Sequence, residues 1–435
     1  MKKTIILITF LLAGIAFPQQ LSKAYILSEG GFSTGTSKLS LYNNADGVFN
    51  QSIFTPGQLG LYPDGILLYE NYLYVMEQGS YGGSGKIYKL DTNGTVINSA
   101  SVGTNPYSMA IANGKIYITN GTTSKVSVIK LSDFSLVKEL SVGVFPQEII
   151  STGNKVFVAN TSLYGGASDS TISVIDVSLD SVVAKITVHK DPSSFAISND
   201  GFLLAGCPGD ASYSRIYKIN TSTNAIVKTY SIPNYGFGKD ISVDKNSSNL
   251  YFIANSNDIV KYNTSDSSAQ IIAASVYPAN YYYGYAFDYV SRKHYILDAK
   301  SFTVNGSLVI SDTLGNTVQT FTTCIGPRRV MFKYNSSSSG IENNLQTIAQ
   351  FELAQNYPNP FNPSTLIKYN LPKESFVNLR VYNSIGQLVK TLISGKQNSG
   401  SHEVEFNAAN LSSGVYFYTL ETESFKAVKK MVLMK

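Results

Sequence analysis

Seven short strand-like runs recur at equivalent places along this chain, and they restrict its fold more than any other feature. They are AYILSEG (24–30), YLYVMEQG (72–79), KIYITNG (115–121), KVFVANT (155–161), GFLLAGC (201–207), NLYFIANS (249–256) and KHYILDAK (293–300), spaced between 40 and 49 residues apart. After each comes a loop of variable length and a second run, such as KVSVIKL (125–131) or TISVIDV (171–177), then a third such as VVAKITVH (182–189). A fourth run opens the next unit, as in NPYSMAIAN (105–113) and FPQEIISTG (145–153). Four short antiparallel strands at this period, repeated radially, describe an all-β, seven-bladed β-propeller over residues 22–335. The ends agree with that count. The first unit begins at its second strand, and the chain supplies a spare run, PRRVMFKYN (327–335), after the seventh. That run completes the first blade, so the ring closes with no open edge.

Beyond the ring the pattern changes. SSSSGIENN opens a polar linker over 336–350, and residues 351–435 hold seven shorter alternating runs, among them LIKYNLP, FVNLRVYN and GVYFYTLET, between Gly, Pro and Asn turns. These read as a small Ig-like β-sandwich. At the other end Lys2 and Lys3 precede an apolar run from Ile5 to Phe17 with Gly14 and Ala16 near its close, the pattern of a cleaved secretory signal over residues 1–19. No cysteine follows that run, which argues against lipid attachment, and no second long apolar stretch offers a transmembrane segment. The formal charge is +5, or +3 once Lys2 and Lys3 are removed (5 − 2), with basic residues scattered, so nucleic acid is not an expected partner.

Antiparallel alternation sends two sets of loops to one face of the ring, here termed the top: those leading into the innermost strands and those joining second strands to third. Many carry an aromatic residue: Phe32, Tyr62, Tyr81, Tyr107, Phe145, Tyr164, Tyr213, Tyr235, Phe237, Tyr281, Tyr282 and Tyr283. Long Gly-rich loops with aromatic residues make a shallow cup suited to a planar or sugar-like ligand, because tyrosine gives stacking area at low entropy cost. Lys239, Asp240, Arg328 and Arg329 add polar contacts for amides, carboxylates or phosphate. In YYYGYAFDY (281–289), Tyr281 to Tyr283 fall on the rim, whereas Tyr285, Phe287 and Tyr289 alternate along the innermost strand and read as packing between blades. The plainer reading is that a strand-rich exported protein simply has many surface tyrosines.

Chemistry of other kinds is sparse. His189, His294 and His402 fall in unrelated contexts, and the chain has no HExxH, zinc-ligand spacing or phosphate loop, so neither catalytic residues nor a metal or cofactor are assigned. Asp64, Asp191 and Asp240 precede innermost strands, where capping of turn backbone is favoured over cation binding. Counting units places Cys207 on the fourth and Cys324 on the seventh, nearly opposite in the ring. A disulfide spans only about 7 Å between Cα atoms, so the two are expected to stay separate thiols.

Two resemblances follow from these residues. NPYSMAIANGKIYITNGTTSKVSVIKL and FPQEIISTGNKVFVANTSLYGGASDSTISVIDV resemble the YVTN or YncE-like seven-bladed propellers. With YGFGKDISVD (235–244), they also look like surface propellers that include a corrinoid-capturing protein, and that likeness implies a corrinoid or similar large ligand among the top-face aromatics. The segments FELAQNYPNPFNPSTLIKYNLP, VNLRVYNSIGQLVKTLISG and KAVKKMVLMK closely resemble the type A C-terminal sorting domain of the type IX secretion system. That resemblance, spanning 351–435, implies contact with the secretion machinery, export through the outer membrane, cleavage near the linker, and release or attachment at the cell surface. An ordinary adhesive Ig-like module is the alternative.

The expected function is therefore a secreted or cell-surface binding protein that holds a small or medium ligand on the top face without turning it over. A protein interaction scaffold is the second reading, and a propeller lyase or hydrolase the third.

Overall fold

The computed structural model describes residues 19–31, 35–57, 65–163, 166–209, 214–232, 234–335, 352–356, 358–371, 375–397, 400–422 and 425–434. The linker and all but the last residue of the expected leader lie outside these.

Seven sheets, each of four antiparallel strands, form the blades that the repeat predicts. The innermost strands of blades 2 to 7 are Gly65–Tyr69, Pro106–Ala112, Pro146–Thr152, Ser194–Ile197, Lys239–Val243 and Tyr282–Asp288. In blade 1 the innermost strand is Pro327–Asn335, paired antiparallel with Gln20–Ser28, so the end of the propeller segment completes its beginning. The second strands are the apolar runs that reveal the repeat. Tyr72–Glu77, Lys115–Asn120 and Lys155–Asn160 are buried from their second or third residue onward, because a mid-blade strand is covered on both faces by neighbouring blades. The outermost strands face solvent on one side, and Leu136–Ser141 and Ile226–Ser231 each bury a single residue.

Each junction between adjacent blades holds its own apolar cluster. Tyr117, Val126, Val156 and Val158 fill the junction of blades 3 and 4, and Tyr251, Ile253, Tyr285 and Phe287 that of blades 6 and 7. At the closing strand Val330, Phe332 and Tyr334 pack toward blade 7, and Met331 toward blade 2, in the period-two alternation of a strand. On the opposite face from the top, lysines latch neighbouring blades. Lys23 donates to the Thr92 carbonyl at 3.2 Å, Lys115 to Asp180 at 2.5 Å, and Lys155 to the carbonyls of Thr221 and Ser222 at 2.9 and 2.7 Å.

The cysteines require a correction of placement. Cys207 ends the second strand of blade 5, not of a fourth unit, since its run is the fifth of the seven, and it therefore lies two blades from blade 7, whose outermost strand Cys324 follows, rather than nearly opposite it. Both Cys207 and Cys324 are free thiols, as expected.

The C-terminal segment is a sandwich. A three-stranded sheet (Glu352–Leu353, Ser364–Leu371, Gly400–Asn407) and a four-stranded one (Leu388–Gln397, Ser375–Asn383, Gly414–Glu421, Lys426–Leu433) bury Ile367, Tyr369, Val377, Leu379, Phe406, Tyr418 and Met431 between them. Among the described residues the only helix is the turn Gly121–Thr123, and no helix is long and apolar enough to cross a membrane.

If the closing strand holds the ring, a chain ending at residue 326 loses cooperative unfolding of the propeller, whereas one ending at 335 keeps the parent's propeller melting transition. Calorimetric scans of the two truncations check this.

Candidate functional site

The top of the channel is shaped by left-handed residues placed just before prolines. Asn105, Phe145, Asp191 and Gly326 have φ of 45°, 40°, 58° and 61°, and each directly precedes a proline that leads the chain toward an innermost strand. Proline fixes its own φ and needs no ladder donor, so it suits the first position of such a strand. Asp191 also accepts the Ser162 backbone N–H at 2.7 Å, which is the expected capping role.

Asp240 does something else. Its carboxylate takes two hydrogen bonds from Arg328 Nη1, at 3.1 and 2.9 Å, in a pair whose side chains are 9% and 6% exposed. Arg328 lies in blade 1 and Asp240 in blade 6, so the pair reaches past blade 7 between them. That blade is tied in as well, because the Tyr285 N–H donates to Asp240 at 3.2 Å and Arg328 donates to the Tyr283 carbonyl at 3.4 Å. Gly284 makes this approach possible: a Cβ there would stand 2.1 Å from the Arg328 carbonyl oxygen. The glycine inside YYYGYAFDY is thus the contact point for the closing strand.

Arg329 extends across the channel. Its Nη2 meets Glu148 Oε2 of blade 4 at 2.7 Å, and Ser108 of blade 3 donates to the same carboxylate at 3.4 Å. Blades 1 and 4 stand on opposite sides of a seven-membered ring, so this ion pair spans the mouth.

Beside these pairs is an aromatic corner. Tyr281 and Phe302 stand 5.5 Å apart, Phe302 and Tyr283 4.8 Å apart and edge-on, and Tyr281 and Tyr283 6.3 Å apart. Asp298, buried at the end of a second strand, holds the corner together by accepting the Tyr281 and Lys300 N–H groups at 2.8 and 2.9 Å. The Tyr283 hydroxyl donates to Glu29 at 3.1 to 3.2 Å.

Lys239 completes the site. Its Nζ sits 4.2 Å from the centre of the Tyr283 ring and 6.0 Å from that of Tyr281. No hydrogen bond or ion pair holds this ammonium among the described residues. Burial, followed by the nearby Arg328, lowers its pKa to about 7, with Arg329 adding to the effect and Asp240 and Glu29 opposing it.

The remaining sequence candidates lie elsewhere. Tyr282 turns away from the mouth into the junction of blades 6 and 7, because neighbours on a strand face opposite sides. Tyr235 packs on the cluster between blades 5 and 6, and Phe237 is fully buried there. Phe145 packs toward Gly121 of blade 3, Tyr107 is half-buried at the start of its innermost strand, and Tyr81 is an exposed loop residue. Phe32, Tyr62, Asp64, Tyr164 and Tyr213 lie outside the described residues.

Glu29, Glu148, Asp298 and Phe302 are members of the site that the aromatic pattern did not single out. One signal was present: a polar residue closes the second-strand run in several units, as at Glu77, Asn120, Asn160 and Asp298.

The fold and site define an exported-type β-propeller with a polar, aromatic-edged mouth and a C-terminal sandwich. Residues 23–323 match the family described as domain of unknown function DUF5074, and residues 355–434 match the secretion system C-terminal sorting domain. The chain therefore belongs to the DUF5074 family of YncE-like propellers and has the architecture of a type IX secretion substrate, exported to the cell surface or periplasm. No curated protein matches it by sequence. Among solved structures it is similar to a quinonprotein alcohol dehydrogenase-like protein from Bacteroides thetaiotaomicron, with 16% identity over 72% of this chain and 78% of that one and a TM-score of 0.58. It is also similar to hydrazine synthase from Kuenenia stuttgartiensis, with 18% identity over 61% of this chain and 88% of that one and a TM-score of 0.52. At such identities the likeness is one of fold.

Two outcomes follow from the electrostatics. Arg329→Met leaves the partly exposed Glu148 without its cation and costs about 1–3 kcal/mol of stability, of which the Arg329→Met/Glu148→Gln pair recovers a large part; denaturant titration of both variants reads this. Lys239 has a folded pKa near 7, below the ordinary 10.5, so the folded ring holds its proton less tightly than the unfolded chain does. Its charge therefore disfavours folding fully below about 7, and that penalty fades as the pH rises toward 10.5. Lys239→Met should accordingly raise the melting temperature most at pH 6 and least at pH 9.5.

Proposed function

We propose that this is an exported binding protein whose propeller mouth holds a small ligand with a flat apolar portion, stacked in the corner of Tyr281, Tyr283 and Phe302 beside Lys239. The observation that carries this reading is the contrast in commitment among the mouth's cations. Arg328 is paired with Asp240 and Arg329 with Glu148, while the ammonium of Lys239 rests on aromatic rings without an acceptor among the described residues. A polar group placed so is supplied with a partner when a ligand arrives. The rigid ring beneath keeps the corner in place before binding, which lowers the ordering cost.

The reading is of binding without turnover. The acids nearest the channel, Asp240 and Glu148, are engaged by arginines, which suits structure better than proton transfer. The sandwich serves a separate purpose as the part that meets the secretion machinery. A scaffold role is favoured by one observation, the exposed apolar pairs Val96 with Ile97, Leu136 with Val137 and Ile226 with Val227 on the outermost strands of blades 2, 3 and 5.

The test is calorimetric titration and thermal shift of the full chain against corrinoids, haem, sugars, divalent ions and small aromatic carboxylates and aldehydes. A ligand should raise the melting temperature of the parent. Tyr281→Ala/Tyr283→Ala should weaken it roughly 10- to 100-fold, the loss of about two aromatic contacts, with the fold retained by circular dichroism. A panel silent throughout, on a folded ring, removes the binding reading.

A further inference from the structure

We propose that Lys239 is a carbonyl-capturing amine, which holds an aldehyde or ketone as a reversible imine while the ligand's flat apolar body lies against Tyr281, Tyr283 and Phe302. This deepens the binding reading and rests on it, since it names the chemistry of the group that the corner would present to Lys239.

Other partly buried lysines of the chain are committed differently. Lys23, Lys155 and Lys245 all have pKa values lowered first by burial. Each nevertheless spends its ammonium on acceptors: Lys23 on Thr92 and Asn93, Lys155 on Thr221, Ser222 and Asn224, and Lys245 on the Ile197 carbonyl at 3.1 Å. Those contacts hold the protonated form and use up the nitrogen. Lys239 has ring faces in their place, and a face attracts the cation without fixing it as an oxygen acceptor does.

Its neighbours work in the same direction. Arg328 stands over the same Tyr283 ring, its Cζ 5.3 Å from the centroid, and Arg329 lies beside Arg328 on the closing strand. Two cations that cannot lose their charge, together with desolvation, are the setting in which a lysine becomes a neutral nucleophile. The acids facing Lys239 are Asp240 and Glu29, and both have other work: Asp240 pairs with Arg328, and Glu29 accepts the Tyr283 hydroxyl. Lys239 nonetheless remains partly exposed.

The chemistry balances without a co-reactant. The Nζ lone pair adds to the carbonyl carbon, and an Nζ proton passes to the carbonyl oxygen to give a carbinolamine. That oxygen then takes the remaining Nζ proton and leaves as water as the nitrogen lone pair forms the C=N bond. Water reverses the sequence, so the capture is a binding step and consumes nothing.

The experiment treats the full chain with benzaldehyde and cyanoborohydride at pH 7, which reduces any imine to a stable benzylamine, and maps the adducts by peptide mass. Lys239 should be modified roughly 100-fold faster than the exposed Lys130, with a rate that levels off just above pH 7. Lys239→Arg, which keeps the charge and removes the free amine, should abolish the fast adduct, and Lys245→Met should leave it. If Lys239 reacts no faster than Lys130, carbonyl capture is wrong. Titration with benzyl alcohol, which has the ring but no carbonyl, separates the two readings. Binding that depends on Tyr281 and Tyr283, without fast trapping, removes the imine and leaves the binding corner. Fast trapping supports capture even where benzyl alcohol does not bind, and failure of trapping together with silence in the wider ligand panel removes both.

Discussion

Everything in the propeller depends on one antiparallel pairing between segments some 300 residues apart, Gln20–Ser28 with Pro327–Asn335. Bringing such distant ends together costs about 5 kcal/mol in loop-closure entropy, plus a constant. Against this, Tyr25, Ile26 and Leu27 become fully buried beside the closing strand, and each large apolar side chain contributes about 1.5–3 kcal/mol on burial. Those three alone offset the closure term. The ladder bonds and the packing of Val330, Met331 and Phe332 then decide in favour of the ring. Without that pairing the clusters at the junctions of blades 7, 1 and 2 would each lack a wall.

The same strand sets the electrostatics of the mouth. Arg328 and Arg329 are its second and third residues, and they bond to acids in blades 6 and 4. Ion pairs that are buried, as Arg328–Asp240 is, or partly so, as Arg329–Glu148 is, add little net stability, because desolvating both partners nearly cancels their attraction. Their effect is positional: they hold blades 1, 4, 6 and 7 in one arrangement at the top of the channel and fill its centre with satisfied charge. Lys239, which has no acceptor among the described residues, lies to one side with the aromatic corner.

How much of this was legible beforehand differs by level. The blades could be read because a mid-blade strand covered on both faces demands a continuous apolar run, and seven such runs recur. The spare run PRRVMFKYN could be read as the closing strand because the first unit begins at its second strand and lacks an innermost one. The mouth was legible in part: Lys239, Asp240, Arg328 and Arg329 were recognisable as a polar set at strand starts. Their pairings were not, since those join residues 88 and 181 positions apart and depend on which blades face each other. Choosing among Tyr281, Tyr282 and Tyr283 failed for a different reason. Adjacent strand residues alternate sides, and only the register, with its shift between Tyr282 and Gly284, decides which of them look into the mouth. Phe302 escaped because a loop's shape brings it to Tyr281, and no spacing rule describes that shape, whereas Asp298 carried only the strand-closing polar signal it shares with Glu77, Asn120 and Asn160.

A consequence follows for a chain that must cross membranes before it works. The strand that closes the ring also carries the arginines that depress the charge on Lys239 and the backbone that Gly284 receives. It is the last part of the propeller in chain order, immediately ahead of the residues that lead to the sorting sandwich. An unclosed ring therefore has neither a formed mouth nor a conditioned lysine. The mouth and the closed ring form together, so a ligand held at the mouth would favour closure by its own binding free energy.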